Sequence, residues 1–340
     1  MRRFLIKLSY LVLPLWVFTV VLVAYYHYAV APYATSELGR TGQLPLPIEY
    51  PDTVLDREYF THVYDVKVLA DTMVDVITIG DSFTTQNIRC FENFLAASGM
   101  SLANLMVMPN NPFQAAYNLL RQGIVDSTNV KTIVVETVER NVVKRLTTLN
   151  DASIEINTTD LDAIEANDEM GEATTTQSSL IDAKNYVLRR LGYKEVVGHL
   201  QLSRPFFSGE EPRGLYFYIK DVRTPSEIAS DDATLMRKNA EKLNAAAAAA
   251  GVRIVYLVAP DKYDIYQNYI IDNPYKPKRV NEQLRAMFPS REQWVIGKEI
   301  VLPLVDAGEM DLYPRGDTHW GPRCSQLVAR ELERSVRAGW

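Results

Sequence analysis

The sequence predicts an α/β domain built on a parallel sheet and preceded by one N-terminal transmembrane helix. Three observations carry this expectation. Leu8 to Tyr28 is an apolar stretch behind Arg2, Arg3 and Lys7, and no Asp, Glu, Lys or Arg follows until Glu37. Short β-branched runs alternate with segments of helical spacing between residues 74 and 138, and again from residue 231 onward. The first of those runs, Val74 to Ile79, ends in Gly80, as a buried parallel strand would.

Taken in order, the N-terminal run is long enough to cross the ~30 Å hydrocarbon layer as a helix. Tyr25, Tyr26 and Tyr28 gather at its far end, where a membrane interface favours aromatics. The basic flank puts the N-terminus in the cytoplasm and the rest of the chain outside, at the plasma or inner membrane and in the periplasm or extracellular space. Ala29-Val30-Ala31 also fits a signal-peptide cleavage site, although the apolar run exceeds the usual ~7–15 residue core of a signal. A buried core helix is the third reading.

Residues 32–71, with Pro32, Pro45, Pro47 and Pro51, read as a linker to a domain over 72–340. In that domain a helix is expected with Ile88, Phe91 and Leu95 on one face, ending near Gly99. Leu102–Met108 is a second strand, Pro112–Gly123 a helix, and Lys131–Val138 a third strand. Residues 150–182 hold nine acids and no Lys or Arg, the composition of a solvated insertion or lid. They lack the ordered acidic spacing of a calcium loop, so no metal is expected. Asp231–Ala250 is a helix ending in six alanines and capped by Gly251, followed by a strand at Arg253–Pro260. Lys278–Phe288 and Pro322–Val336 are further helices.

With 340 residues, 47% of them hydrophobic, the chain can bury a sizeable core. A net charge of −6 and the lack of any basic cluster exclude a nucleic-acid partner.

Two short stretches carry chemistry. Ser82, in Gly80-Asp81-Ser82-Phe83, stands at the carboxyl edge of a buried strand, where α/β ligand sites lie. A helix N-terminus there would offer amide donors to an oxyanion. The plainer reading of such a serine is a helix cap. Of the four histidines, only His319 has a carboxylate placed to orient it: Asp317, two residues earlier in Asp317-Thr318-His319-Trp320. Each stretch gives the other a purpose, with Ser82 as nucleophile, His319 as base and Asp317 as its orienter.

With Glu136-Thr137-Val138-Glu139-Arg140-Asn141 and Ala259-Pro260-Asp261-Lys262-Tyr263, these stretches make the chain resemble the SGNH hydrolase superfamily. Within it, the likeness is to the alginate O-acetylation proteins of the AlgJ and AlgX type. The resemblance implies a flavodoxin-like, three-layer α/β/α domain and acetyl-ester chemistry on a polysaccharide, without a cofactor. It makes the chain an esterase or O-acyltransferase acting on a cell-surface or exported glycan, next to a membrane-bound acyl-donor protein. The other reading is an inactive scaffold that binds glycan or organises an export complex. The Ser82 amide would be one oxyanion donor and Asn110 or Asn111 another. Asp81, Arg140, Asn141 and Trp320 are further residues that could face substrate, although Glu139 and Arg140 also suit a structural ion pair. Lys262 reads as a plain exposed lysine. In the alginate proteins the Asp-His element precedes the serine; here it follows.

Cys90 and Cys324 sit on the helices that leave the two catalytic loops. If those helix starts are neighbours, an oxidising compartment would permit a Cys90–Cys324 disulfide. Two separate buried thiols are the alternative.

Overall fold

Buried β-branched runs do form the sheet expected of them. The computed structural model describes residues 2–42, 44–47, 55–64, 66–69, 72–105, 111–151, 176–192 and 196–339. Its strands are β1 (Thr61–Val63), β2 (Val76–Ile79), β3 (Leu102–Leu105), β4 (Thr132–Val138), β5 (Val197–Gln201), β6 (Gly214–Tyr218), β7 (Arg253–Ala259) and β8 (Trp294–Ile296). Six of them make one sheet in the order β1-β3-β2-β4-β7-β8, every neighbouring pair parallel. Leaving out the edge strand β1, this is the doubly wound order of a flavodoxin-like sheet, whose switch point lies between β2 and β4. The register there pairs Val76 with Thr132 and Ile79 with Val135. The strands β5 and β6 form a separate antiparallel hairpin.

The longer helices are α1 (Arg2–Tyr25), α2 (Glu37–Gly42), α3 (Phe91–Ala97), α4 (Pro112–Arg121), α5 (Glu139–Thr147), α6 (Thr176–Arg190), α7 (Ser230–Ala249), α8 (Lys262–Tyr266), α9 (Val280–Met287), α10 (Gly297–Asp306) and α11 (Pro322–Arg337). Every residue of β2 and β4 is buried, because helices cover both faces of the sheet. Ile77, Ile79, Ile133, Val135, Ile254 and Val258 join one core with α4, α5, α7 and α9. Val76, Val134, Val138, Val255 and Leu257 turn the other way and pack with α3, α10 and α11. The alanine-rich end of α7 buries Ala240, Leu243 and Ala247, and Gly251 follows it with φ +69°. The α/β/α layering and the apolar N-terminal helix therefore match expectation.

Two expectations change. The helix expected directly after Ser82 starts only at Phe91, and residues 82–84 form a 3-10 turn instead. Asp81 occupies the cap position of that turn and satisfies it with its side chain. Within the segment read as a linker, Ser36, Leu38, Leu46, Phe60 and Val63 are buried, and β1 joins the sheet edge. Its apolar residues were enough to seat parts of it on the domain. Most of the acidic insertion lies outside the described residues; from Thr176 the chain is helical. Val12–Tyr33, which runs from α1 through the π and 3-10 turns that follow it, is a helical stretch long and apolar enough to cross a membrane.

Candidate active site

The site starts from a glycine. A Cβ on Gly80 would lie 2.2 Å from Thr84 Cγ2 and 2.5 Å from Glu136 Oε2, so only glycine lets β2 turn so tightly against β4. Glu136 Oε2 accepts the Asp81 N–H at 2.8 Å. Burial and the Asp81 charge push the Glu136 carboxyl well above its usual range. Asp81 itself accepts from the amides of Phe83 (3.3 Å) and Val138 (3.0 Å) and from Arg145 Nη1 (2.5 Å). Burial opposes its charge, but Arg145 outweighs burial and holds the carboxyl below the usual range. These bonds fix the turn and present Ser82 at the switch point.

His319 arrives from the loop between α10 and α11. Its Nε2 lies 2.7 Å from Ser82 Oγ, and its Nδ1 lies 2.8 Å from Asp317 Oδ1. Asp317 Oδ1 also accepts the His319 backbone N–H at 3.0 Å, which sets the ring relative to its own loop. Phe83 meets the imidazole edge-on at 4.7 Å and is itself backed by Trp320, ring to ring at 4.9 Å. A carboxylate accepting the Nδ1 proton leaves Nε2 free to accept from the serine, the arrangement needed for nucleophilic attack.

Two residues that local pattern does not reveal hold this loop. Lys262 is fully buried and donates through Nζ to the carbonyls of Pro314 (2.7 Å), Arg315 (2.7 Å) and Asp317 (3.1 Å). It is thus no exposed lysine; the loop closes over it, and burial pulls its ammonium down to about 7. Glu37, on α2, accepts through Oε2 from the Thr318 amide at 3.0 Å and from the Thr318 hydroxyl, and the same oxygen lies 3.3 Å from His319 Nδ1. Glu37 was legible only as the first charge after the apolar run.

Burial favours a neutral His319 ring. The hydrogen bonds to Asp317 and then Glu37 oppose it and hold the imidazole above its usual range. Asp317 shows the mirror effect: burial would raise it, but bonding to His319 holds it far below the usual carboxylate range. Glu37, Asp317 and His319 bring ligand-type atoms within 4.8 Å of one another, yet each atom already serves the bonds to Thr318, His319 and Asp317 described above. We therefore assign them to a hydrogen-bond relay.

The remaining expected residues lie elsewhere or do other work. Asn111 caps α4, accepting from Phe113 and Gln114 amides and donating to Arg145 O at 2.9 Å, so its side chain is spent on the fold. Asn110 lies outside the described residues. Arg140 pairs with Asp221 at 3.3 Å and Asp261 at 2.6 Å, both fully buried. Its partners are these two aspartates, and Glu139 accepts the Asp261 amide at 3.1 Å. Asn141 is half-buried in the first turn of α5. Trp320 is 1% exposed and belongs to the core. The helices α3 and α11 do pack together, but the disulfide is not formed. Both cysteines are buried thiols; Cys324 donates to Leu312 O at 3.2 Å, while Cys90 stands at the N-cap of α3.

The site is thus a serine after the first central strand of a doubly wound parallel sheet, met by a histidine from the last loop. Residues 213–339 match the family model of the SGNH hydrolase-like domain of the acetyltransferase AlgX. That stretch includes Asp317 and His319, whereas Ser82 precedes it. Among curated proteins and solved structures nothing matches the chain.

Proposed function

We propose that the protein is a membrane-anchored, extracytoplasmic O-acyltransferase or acetylesterase that modifies a cell-surface or exported polysaccharide through an acyl-Ser82 intermediate. The observation that carries this reading is the continuous chain from Ser82 Oγ through His319 to Asp317, at 2.7 and 2.8 Å. The match to an acetyltransferase family over residues 213–339 supports the type of group transferred.

In the first half-reaction Ser82 Oγ attacks the acyl carbonyl while His319 Nε2 takes its proton. The C–O bond to the donor then breaks, and the departing oxygen receives that proton. In the second, a sugar hydroxyl or water gives its proton to Nε2 and attacks the acyl-serine, releasing the Ser82 hydroxyl. Asp317 keeps the ring in one tautomer and stabilises the imidazolium in both steps. The Ser82 amide is the donor we assign to the developing oxyanion. For location, the support is the apolar helix with its basic N-terminal flank, which suits a span with the domain outside. A membrane-bound acyl-donor protein is the partner this arrangement suits.

The test uses the full-length protein in detergent with p-nitrophenyl acetate. Ser82→Ala is expected to cut kcat/KM by at least about 10³-fold, and Asp317→Asn by about 10²–10⁴-fold. Intact-mass analysis should find one acetyl group on wild type and none on Ser82→Ala. Equal rates in wild type and Ser82→Ala would remove Ser82 from the mechanism and favour the non-catalytic scaffold.

A further inference from the structure

We infer that Glu37 is a positioning residue for His319, so that the strap joining the apolar helix to the domain is a working part of the site. The inference rests on the Ser82–His319 reading above and extends it to a segment outside both catalytic loops.

The strap is bound to the histidine loop at several points. Leu38 N–H donates to Gly316 O at 2.8 Å, and a Cβ on Gly316 would meet Ser36 Oγ at 2.3 Å. Ser36 closes the strap on itself through Leu46 O at 2.7 Å, and Leu38 and Leu46 are buried. Glu37 is therefore delivered to the loop by packing on both sides of it. There its carboxylate takes both donors of Thr318 and stands within 3.3 Å of the nitrogen that Asp317 also holds.

Two carboxylates then face one imidazole. When His319 takes the serine proton, both stabilise the cation, and one of them is tied by packing to residues near the apolar helix. Other charges act on the same group. Asp317 lies on the loop itself, Arg89 acts on Asp317 from the short 3-10 turn Asn87–Arg89, and Lys262 sits beneath the loop with Arg315 nearby. Of these, Glu37 and Asp317 are the two whose oxygens reach Nδ1. Loss of Glu37 should make His319 a weaker base while leaving Asp317 bound to it.

The experiment measures the pH dependence of kcat/KM for p-nitrophenyl acetate on full-length wild type, Glu37→Gln, Glu37→Asp and, as the control on the underlying reading, Ser82→Ala. Glu37→Gln keeps an acceptor for the Thr318 amide but removes the charge. It is expected to lower kcat about 10-fold with KM nearly unchanged. The acidic limb of its profile, which reports His319 losing its proton, should move to lower pH by about one unit. Glu37→Asp should recover part of both. An unshifted limb in Glu37→Gln, or a uniform loss matched by a lower melting temperature and not relieved by aspartate, would overturn the inference while Ser82→Ala still abolished turnover. Full activity in Ser82→Ala would bring down both readings together.

Discussion

Arg145 Nη1 lies 2.5 Å from Asp81 Oδ2, and this pair ties the turn carrying Ser82 to the end of β4 and to α5. The same guanidinium nitrogen donates to Thr137 Oγ1 at 2.7 Å, while Asp81 also accepts the Val138 amide. The residue beside Ser82 is thus a structural staple. Asp81→Asn should cost about 2–4 kcal/mol in urea unfolding, because it strands a largely buried arginine. Pairing it with Arg145→Met should recover much of that loss. A double variant whose loss equals the sum of the two single losses would show that the two residues act independently.

Lys262 predicts a different phenotype. Its three N–H groups satisfy three carbonyls of the loop that carries Asp317 and His319. Lys262→Met fits the buried space but leaves those oxygens unpaired, at a cost of about 1–3 kcal/mol for each group left unsatisfied. We expect a lower melting temperature and a fall in kcat larger than any rise in KM, since the loop holds His319, the base of the proposed mechanism. Unaltered kcat in a destabilised variant would separate the lysine from the geometry of His319.

Glu92 gives the pH test. It sits in the first turn of α3, fully buried, and burial pushes its carboxyl up to about 8. In the unfolded chain the same group loses its proton near 4.5. Between those values the folded state holds the extra proton, so stability is full below about 4.5 and falls as pH rises toward 8. Glu92→Gln should be nearly neutral at pH 4 and stabilising by about 4 kcal/mol at pH 8, read from urea midpoints. Equal effects at the two pH values would contradict a buried, protonated Glu92.

Much of the architecture was legible because its signals are local. In β2, β4 and β7, β-branched and apolar side chains predominate, as they do in parallel strands covered on both faces. The hairpin β5–β6 escaped notice because β5 is only partly buried and carries Gly198 and the exposed His199. The three residues of β8 are too few for any period. Ser82, Asp317 and His319 stood out because each belongs to a short stretch with its own logic. Glu37 did not: its bond to Thr318 spans 281 positions, and nothing near Glu37 hints at it. Lys262 looked like an ordinary surface lysine because the carbonyls that bury it lie 52 to 55 residues away.

The separation of 237 positions between Ser82 and His319 also sets a timetable. A chain still being made or threaded through a membrane has its serine long before its histidine. On the mechanism proposed above, the Ser82 hydroxyl stays an ordinary alcohol until residues 317–319 close onto the sheet. Contacts of such long range form slowly, because the intervening loop must be closed first. Reactivity would then arrive late in folding, with the chain's own connectivity acting as the safety catch.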